Sequence, residues 1–266
     1  TFVAGVRRDR VTTSLDGSPD QVDNATTFRV GLTYEIFDGV TPYVSYAESF
    51  IPTIGLDVHG NQFKPQEGTQ YEVGVKWQPD RHTLLTLSGF DLTGSNRQQT
   101  DPEDGNNTIQ TGEVSSRGFE FEAIRRLPDN YSVSLSYTKL DVEVSESVIP
   151  IELGFPISGV PENQASLWGE KTFLLAGDLT ARIGLGVRRM GESKEAAIFS
   201  DGLVYRLDSP DFTLGDALLG LSWGKSDLAL NATNVTDERY YGSCSIRTAC
   251  SVGYRRNVVL RWTYRL

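Results

Sequence analysis

The sequence predicts an all-β protein, a transmembrane antiparallel β-barrel with about twelve strands, and three observations carry that prediction. Apolar and polar residues alternate with period two along most of the chain, connections alternate between short and long, and every tryptophan falls toward the short-turn end of a strand. The last segment shows the first most cleanly. Val258, Leu260, Trp262, Tyr264 and Leu266 fall on one face, and Asn257, Val259, Arg261, Thr263 and Arg265 on the other. A period of two puts those sets on opposite sides of a sheet. In a soluble sandwich the apolar set meets a second sheet; in an outer-membrane barrel it meets lipid, and the arginines face a wet lumen.

Strands are expected at residues 1–9, 25–37, 41–50, 67–77, 82–95, 107–125, 131–144, 160–170, 178–190, 203–223, 226–235 and 253–266. Phe28, Val30, Leu32, Tyr34 and Ile36 alternate with Arg29, Gly31, Thr33 and Glu35; Tyr71, Val73, Val75 and Trp77 alternate with Glu72, Gly74 and Lys76. Phe119 and Phe121 flank Glu120, with Glu122 following. Tyr131, Val133, Leu135 and Tyr137 interleave with serines and Thr138, and Leu179, Ala181, Ile183, Leu185 and Val187 with Thr180, Arg182, Gly184, Gly186 and Arg188. Turn-forming residues close short connections at Asp38-Gly39, Gln78–Arg81, Leu127–Asn130 and Gly224–Ser226, with a looser one at Phe173–Gly177. Long polar segments lie between them, at 10–24, 51–66, 96–106, 145–159, 191–202 and 236–252. Tight turns at one rim and long loops at the other belong to a bacterial outer-membrane barrel, whereas a Greek-key sandwich gives no reason to collect every long connection at one end.

Trp77, Trp168, Trp223 and Trp262 are expected at the periplasmic rim, as an aromatic girdle whose rings are buried while their N–H groups stay wet. No apolar run approaches the ~20 residues of a membrane helix. The net charge of −10 disfavours nucleic acid as a partner. Cys244 and Cys250 sit in a polar segment far from His59 and His82, which favours a disulfide over a metal site; such a small loop gains about 2 kcal/mol. It implies an oxidising compartment. No catalytic constellation, metal cluster or nucleotide-binding glycine pattern appears, so neither an enzyme nor a resident cofactor is expected. Glu120 and Glu122 point the same way on one strand, as two glycosidase carboxylates would, but a solvated lumen wall accounts for them.

Several segments, in order, resemble TonB-dependent ferric-siderophore receptors. Thr41–Phe50 looks like their strand-and-loop entry. Lys64-Pro65 with Gly68, Tyr71-Glu72, Gly74 and Lys76 is similar to their "KP-x-x-G-x-x-YE-x-G-x-K" segment. Arg117-Gly118-Phe119-Glu120 resembles the "RG-x-E" strand, and Asn234–Tyr240 the turn before the last strand. The cysteine pair followed by Gly253–Arg256 looks like the ferrichrome-type hydroxamate receptors in particular. Thr236, where the family has a large apolar residue, and the terminal Leu266, where it has an aromatic one, depart from the pattern.

The resemblance implies a 22-stranded plugged barrel, of which residues 1–266 supply the last twelve strands, with the plug and first strands lying outside this chain. The opening Thr1–Val6, already strand-like, agrees with that expectation. It implies a bacterial outer-membrane receptor that imports a ferric siderophore, iron being held by the chelate, with energy from TonB reaching the plug. Outer-membrane lipid and lipopolysaccharide would surround it. Phe50, Tyr240, Tyr241 and Tyr254 are candidate ligand contacts, with an upper aromatic girdle as the alternative. Arg255 and Arg256 suit an anionic ligand or salt bridges to acidic loops. Glu120, Glu122, Arg182 and Arg188 are expected to line the lumen against the plug. Three other readings stay open: a self-contained twelve-stranded pore or barrel, a soluble β protein, and TonB-dependent uptake of cobalamin, haem or a sugar.

Overall fold

A computed structural model describes residues 1–14, 20–57, 60–100, 108–198, 203–246 and 249–266. The strands are β1 (Phe2–Thr13), β2 (Gln21–Thr33), β3 (Val40–Ile51), β4 (Gln66–Asp80), β5 (Thr83–Thr100), β6 (Thr108–Leu127), β7 (Tyr131–Glu146) and β8 (Asn163–Ala176). They continue with β9 (Leu179–Met190), β10 (Ser193–Ile198), β11 (Val204–Ser209), β12 (Phe212–Trp223), β13 (Ser226–Thr233), β14 (Tyr241–Ile246), β15 (Ala249–Val252) and β16 (Asn257–Tyr264). Twelve of them form one sheet in the order β1-β2-β3-β4-β5-β6-β7-β8-β9-β12-β13-β16, and every neighbouring pair is antiparallel. β1 and β16 are its two edges. Among the described residues the sheet is therefore a barrel wall that does not close on itself.

The expected strand at 203–223 is two strands, β11 and β12, because β11 turns back to pair with β10. β14 and β15 likewise pair with each other inside the expected loop 236–252. Both hairpins mix polar and apolar residues and stand at the long-connection rim, where alternation with lipid-facing residues is not required. For the same reason several ladders run on past the apolar segments: β1 reaches Thr13, β2 starts at Gln21 and β5 extends to Thr100. The looser connection expected at Phe173–Gly177 is also corrected. β8 continues to Ala176, and Gly177, at φ 60°, closes a tight turn into β9.

Registration decides what each face meets. Ile183, Leu219, Leu230 and Leu260 form one row across β9, β12, β13 and β16. Leu135, Leu167 and Val187 form another across β7, β8 and β9. These side chains are not covered: Leu219 is 53 % and Leu260 65 % exposed. The buried apolar residues, Phe63, Val144, Phe155, Leu214 and Cys244, are scattered and form no second layer. A continuous bare apolar sheet face requires an apolar partner, and no second sheet supplies it among the described residues. The opposite face carries Glu72, Ser88, Glu120, Thr138, Ser166 and Arg188, as a lumen wall does.

The turn between β2 and β3 depends on one glycine. Gly39 has φ 73°, and a Cβ there would lie 2.2 Å from the carbonyl oxygen of Gln78. Its own carbonyl accepts the Gln78 N–H at 2.7 Å, so the two short connections are tied together. Gly39→Ala is expected to destabilise the sheet by about 1–3 kcal/mol, read as a lowered urea midpoint for the protein refolded into lipid vesicles. An unchanged midpoint would contradict this turn geometry.

Candidate functional site

The polar face and the long-loop rim hold the candidate site. On the polar face β4, β5 and β6 bring Glu72, Ser88 and Glu120 into adjacent rows. The Tyr43 hydroxyl donates to Glu72, whose other oxygen accepts from Gln70 at 3.1 Å. Gly74 leaves room for this, since a Cβ there would stand 2.6 Å from the Tyr43 ring. Further round, a groove of about 330 Å³ is lined by Glu120, Glu122, Ser136, Thr138, Gln164 and Arg188.

The predicted lumen residues divide by charge balance. Arg182 meets Asp227 at 3.4 Å, and Arg188 takes both oxygens of Asp216 at 2.5 and 3.2 Å. Each arginine is thus matched by an aspartate from a nearby strand. Glu120 and Glu122 form no ion pair among the described residues. The β4–β6 sector of this face thus holds two carboxylates without an ion-pair contact, alongside Lys76 in the Glu122 row and Arg126 nearer the short turn. It suits cationic groups on whatever packs against it.

The tryptophans do not share a face. Trp77, Trp223 and Trp262 lie on the apolar side near the short turns and are 46 %, 42 % and 66 % exposed. Trp168 is a correction to the expected girdle. It pairs with Ser134 and Gly186, which places it on the polar side. Its ring lies along β9, where a Cβ at Gly184 or Gly186 would come within 2.3 or 2.4 Å of it. Position along a strand sets a residue's height, whereas parity sets its face. The Gly184-x-Gly186 pattern opposite was the signal for this packing.

The four aromatic ligand candidates do not converge either. Phe50 shares its parity with Val44, Tyr46 and Glu48 and so stands on the apolar side of β3, not above the lumen. Seven strands separate β3 from β13, and the other three candidates follow β13. Tyr240 stacks on Phe212 with ring centroids 4.0 Å apart and covers Gly253. Tyr241 opens β14 and is half-exposed, while Tyr254 is 90 % exposed. Cys244 and Cys250 are disulfide-bonded within the β14–β15 hairpin. The Ser158 hydroxyl donates to the Cys244 carbonyl at 2.9 Å, so the hairpin is held against the 145–162 connection.

Asn234 organises this end of the molecule, a role no sequence pattern announced. It is 2 % exposed and has φ 52°, a left-handed conformation that asparagine tolerates better than most residues. Its Nδ2 donates to the carbonyls of Glu238 and Tyr254 at 2.9 and 3.1 Å, and its Oδ1 accepts the Glu238 N–H at 2.8 Å. Its backbone N–H donates to Asp216, joining the turn to the Arg188 ion pair. Next to it, Asp237 accepts a two-pronged bond from Arg255 and the N–H of Arg256. The Arg255 guanidinium, and after it that N–H, hold the Asp237 carboxyl well below the usual carboxylate range. Arg255 is thereby a structural partner, not a free anion receptor.

Comparison with known proteins follows this geometry. A model of the TonB dependent receptor-like β-barrel matches residues 1–235. The ferrichrome outer membrane transporter/phage receptor of Escherichia coli is 35 % identical over 94 % of this chain and 33 % of its own length. The ferrioxamine B receptor of Salmonella typhimurium is 34 % identical over 99 % of this chain and 38 % of its own. The chain thus spans about a third of the curated relatives it matches. Among solved structures, the ferric preacinetobactin receptor of Acinetobacter baumannii superposes with TM-score 0.76 at 24 % identity, over 98 % of this chain and 40 % of that one. The ferripyoverdine receptor of Pseudomonas aeruginosa gives 0.74 at 23 %, over 99 % and 36 %. These two likenesses show the fold.

Asn234→Ala removes three side-chain hydrogen bonds from a buried turn, a loss of about 1–3 kcal/mol per group left unpaired. Amides 235–240 and 253–256 are expected to exchange hydrogen at least about tenfold faster, with the β12–β13 ladder unaffected. Equal exchange in both proteins would show that Asn234 does not hold the turn.

Proposed function

We infer that this chain, which belongs to the TonB-dependent receptor-like β-barrel family, forms the C-terminal part of the wall of an outer-membrane receptor that imports a ferric siderophore. The family is one of bacterial outer-membrane receptors and transporters, not enzymes. The observation that carries the ligand class is the likeness, along nearly the whole chain, to receptors named for ferrichrome and ferrioxamine. In this reading iron travels inside its chelate, so the protein contributes no metal ligands. Tyr240, Tyr241 and Tyr254 offer aromatic and hydroxyl contacts to the chelate's organic shell at the loop rim. Phe50 belongs instead to an upper aromatic girdle facing outward.

The same reading gives the polar face a partner. A plug domain contributed by the rest of the polypeptide packs against Glu120, Glu122 and the paired Arg182 and Arg188, and passes energy from TonB to the ligand. The free carboxylates of Glu120 and Glu122 favour cationic plug residues at the β4–β6 sector. Trp77, Trp223 and Trp262 form the periplasmic girdle, with lipid around it. Further strands of the same polypeptide close the wall between β1 and β16. A self-contained twelve-stranded pore would instead need β1 bonded to β16, and these are opposite edges of the sheet.

The test is ligand binding by the native polypeptide, purified from outer membranes of iron-starved cells. Titration with a ferric trihydroxamate is expected to quench intrinsic fluorescence saturably. Tyr254→Ala should weaken binding three- to tenfold, about 0.7–1.4 kcal/mol. Saturable binding of cobalamin or haem, with none of the ferric hydroxamate, would overturn the ligand class.

A further inference from the structure

On the apolar face, close to the short-turn rim, two basic residues break the hydrocarbon pattern. Registration lays out the neighbourhood. One row runs Leu127, Tyr131, Lys171, Ile183 across β6, β7, β8 and β9; the row above runs Arg125, Val133, Gly169, Leu185; the next runs Ala123, Leu135, Leu167, Val187. Lys171 and Arg125 therefore project from the same face as the leucines that meet the membrane interior.

Lys171 is held in place by aromatic rings. Its ammonium lies 4.1 Å from the Tyr131 ring centroid and 4.9 Å from that of Phe173, and it donates to the Tyr131 hydroxyl at 2.7 Å. That bond uses one of three ammonium hydrogens and leaves the tyrosine's own O–H free to donate. Neither Lys171 nor Arg125 forms an ion pair with a carboxylate among the described residues. Asp80 feels the charge of Arg125 without an ion-pair contact, its carboxylate being bonded to the His82 N–H and the Thr83 hydroxyl. From strand spacing and rise, the two Cα atoms are about 12 Å apart, a span that two long basic side chains can bridge by meeting at a single phosphate.

Gly169 supplies the second half of the site. No atom lies within 4 Å of where its Cβ would be. It leaves a notch in an otherwise leucine- and valine-covered surface, bordered by Leu167, Val133 and Leu185. The notch sits one row above Lys171, toward the membrane centre. A chain leaving a headgroup at Lys171 would run straight into it.

We propose that Arg125, Tyr131 and Lys171, with the Gly169 notch above them, form a binding site for one glycerophospholipid of the periplasmic leaflet. The two cations and the tyrosine hydroxyl hold its phosphate, and the notch seats an acyl chain. Charge complementarity selects the occupant: two cations on a lipid-facing surface, neither in ion-pair contact with a carboxylate among the described residues, match an anionic phosphodiester. A cation clamped by aromatic rings at interface height also points its hydrogens toward headgroups rather than hydrocarbon. The site rests on the outer-membrane reading above, but not on which ligand the receptor imports.

The experiment uses the native polypeptide, purified in detergent, stripped of lipid, and titrated with palmitoyl-oleoyl phosphatidylglycerol under native mass spectrometry. The phosphate-free diacylglycerol with the same chains is the parallel probe. One phosphatidylglycerol is expected to be retained, with diacylglycerol retained about tenfold less. Arg125→Gln combined with Lys171→Gln should cut retention about tenfold, and Lys171→Arg alone, which keeps both charges, should retain most of it. Gly169→Leu, which leaves every charge in place, should also weaken retention. It serves as the second variant should the double substitution impair folding, judged by heat-modifiable gel mobility. Equal retention by folded wild type and variants, or equal retention of both lipids, would overturn the site alone. A native polypeptide that fractionates away from the outer membrane would overturn the site and the membrane reading together.

Discussion

Inside a hydrocarbon layer a backbone N–H has no water to bond, so each strand must satisfy its polar groups through its two neighbours. The rest of the structure follows from that requirement. It explains why the ladder is unbroken from β1 to β16, why every pair is antiparallel with a tight turn at one rim, and why elements outside the ladder, the β10–β11 and β14–β15 hairpins, are confined to the other. It also singles out the edges. The outer sides of β1 and β16 present unpaired backbone groups, which a membrane tolerates only when further strands complete the wall.

Once the ladder is imposed, side chains have only two directions, and parity divides the chemistry. Most leucines and valines go outward, where they remain bare. Most carboxylates, serines and arginines of the membrane-height segments go inward, where charges find nearby partners: Arg188 with Asp216, Arg182 with Asp227. Glu120 and Glu122 stand apart in forming no ion pair among the described residues, although Arg188 lines the same groove. The exceptions to parity are informative. Trp168 faces inward, where two β9 glycines accept its ring, and Lys171 faces outward, where the rings of Tyr131 and Phe173 hold its ammonium.

Much of this was legible in the sequence. The count of sheet strands, the position of most short turns and the polar–apolar division follow from period-two alternation and turn chemistry, and the cysteine pairing from two thiols in a polar segment without a histidine beside them. Two hairpins were not visible, because β10, β11, β14 and β15 stand beyond the membrane and carry strand hydrogen bonds without apolar alternation. Trp168 was misplaced because height along a strand was read without parity, and the same parity leaves Phe50 to the girdle alternative rather than to ligand contact. Asn234 was visible as part of a motif, yet its role as the hub of the turn depends on carbonyls of Glu238 and Tyr254 that only the folded chain brings within reach. The aromatic candidates at the loop rim were chosen by residue type, and type alone does not say that Tyr240 is already engaged with Phe212.

The central claim is that one face of this sheet meets lipid and the other a polar interior. Nitroxide labels placed singly along β12, from Asp216 to Trp223, in the native polypeptide reconstituted into lipid vesicles test it directly. Power-saturation measurements should show accessibility to oxygen, which concentrates in lipid, peaking at Ala217, Leu219 and Leu221. Accessibility at Asp216, Leu218, Gly220 and Ser222 should be low, giving a clear period of two. Uniform accessibility along the strand, or a water-soluble relaxation agent reaching Leu219 as readily as a loop position, would contradict the account.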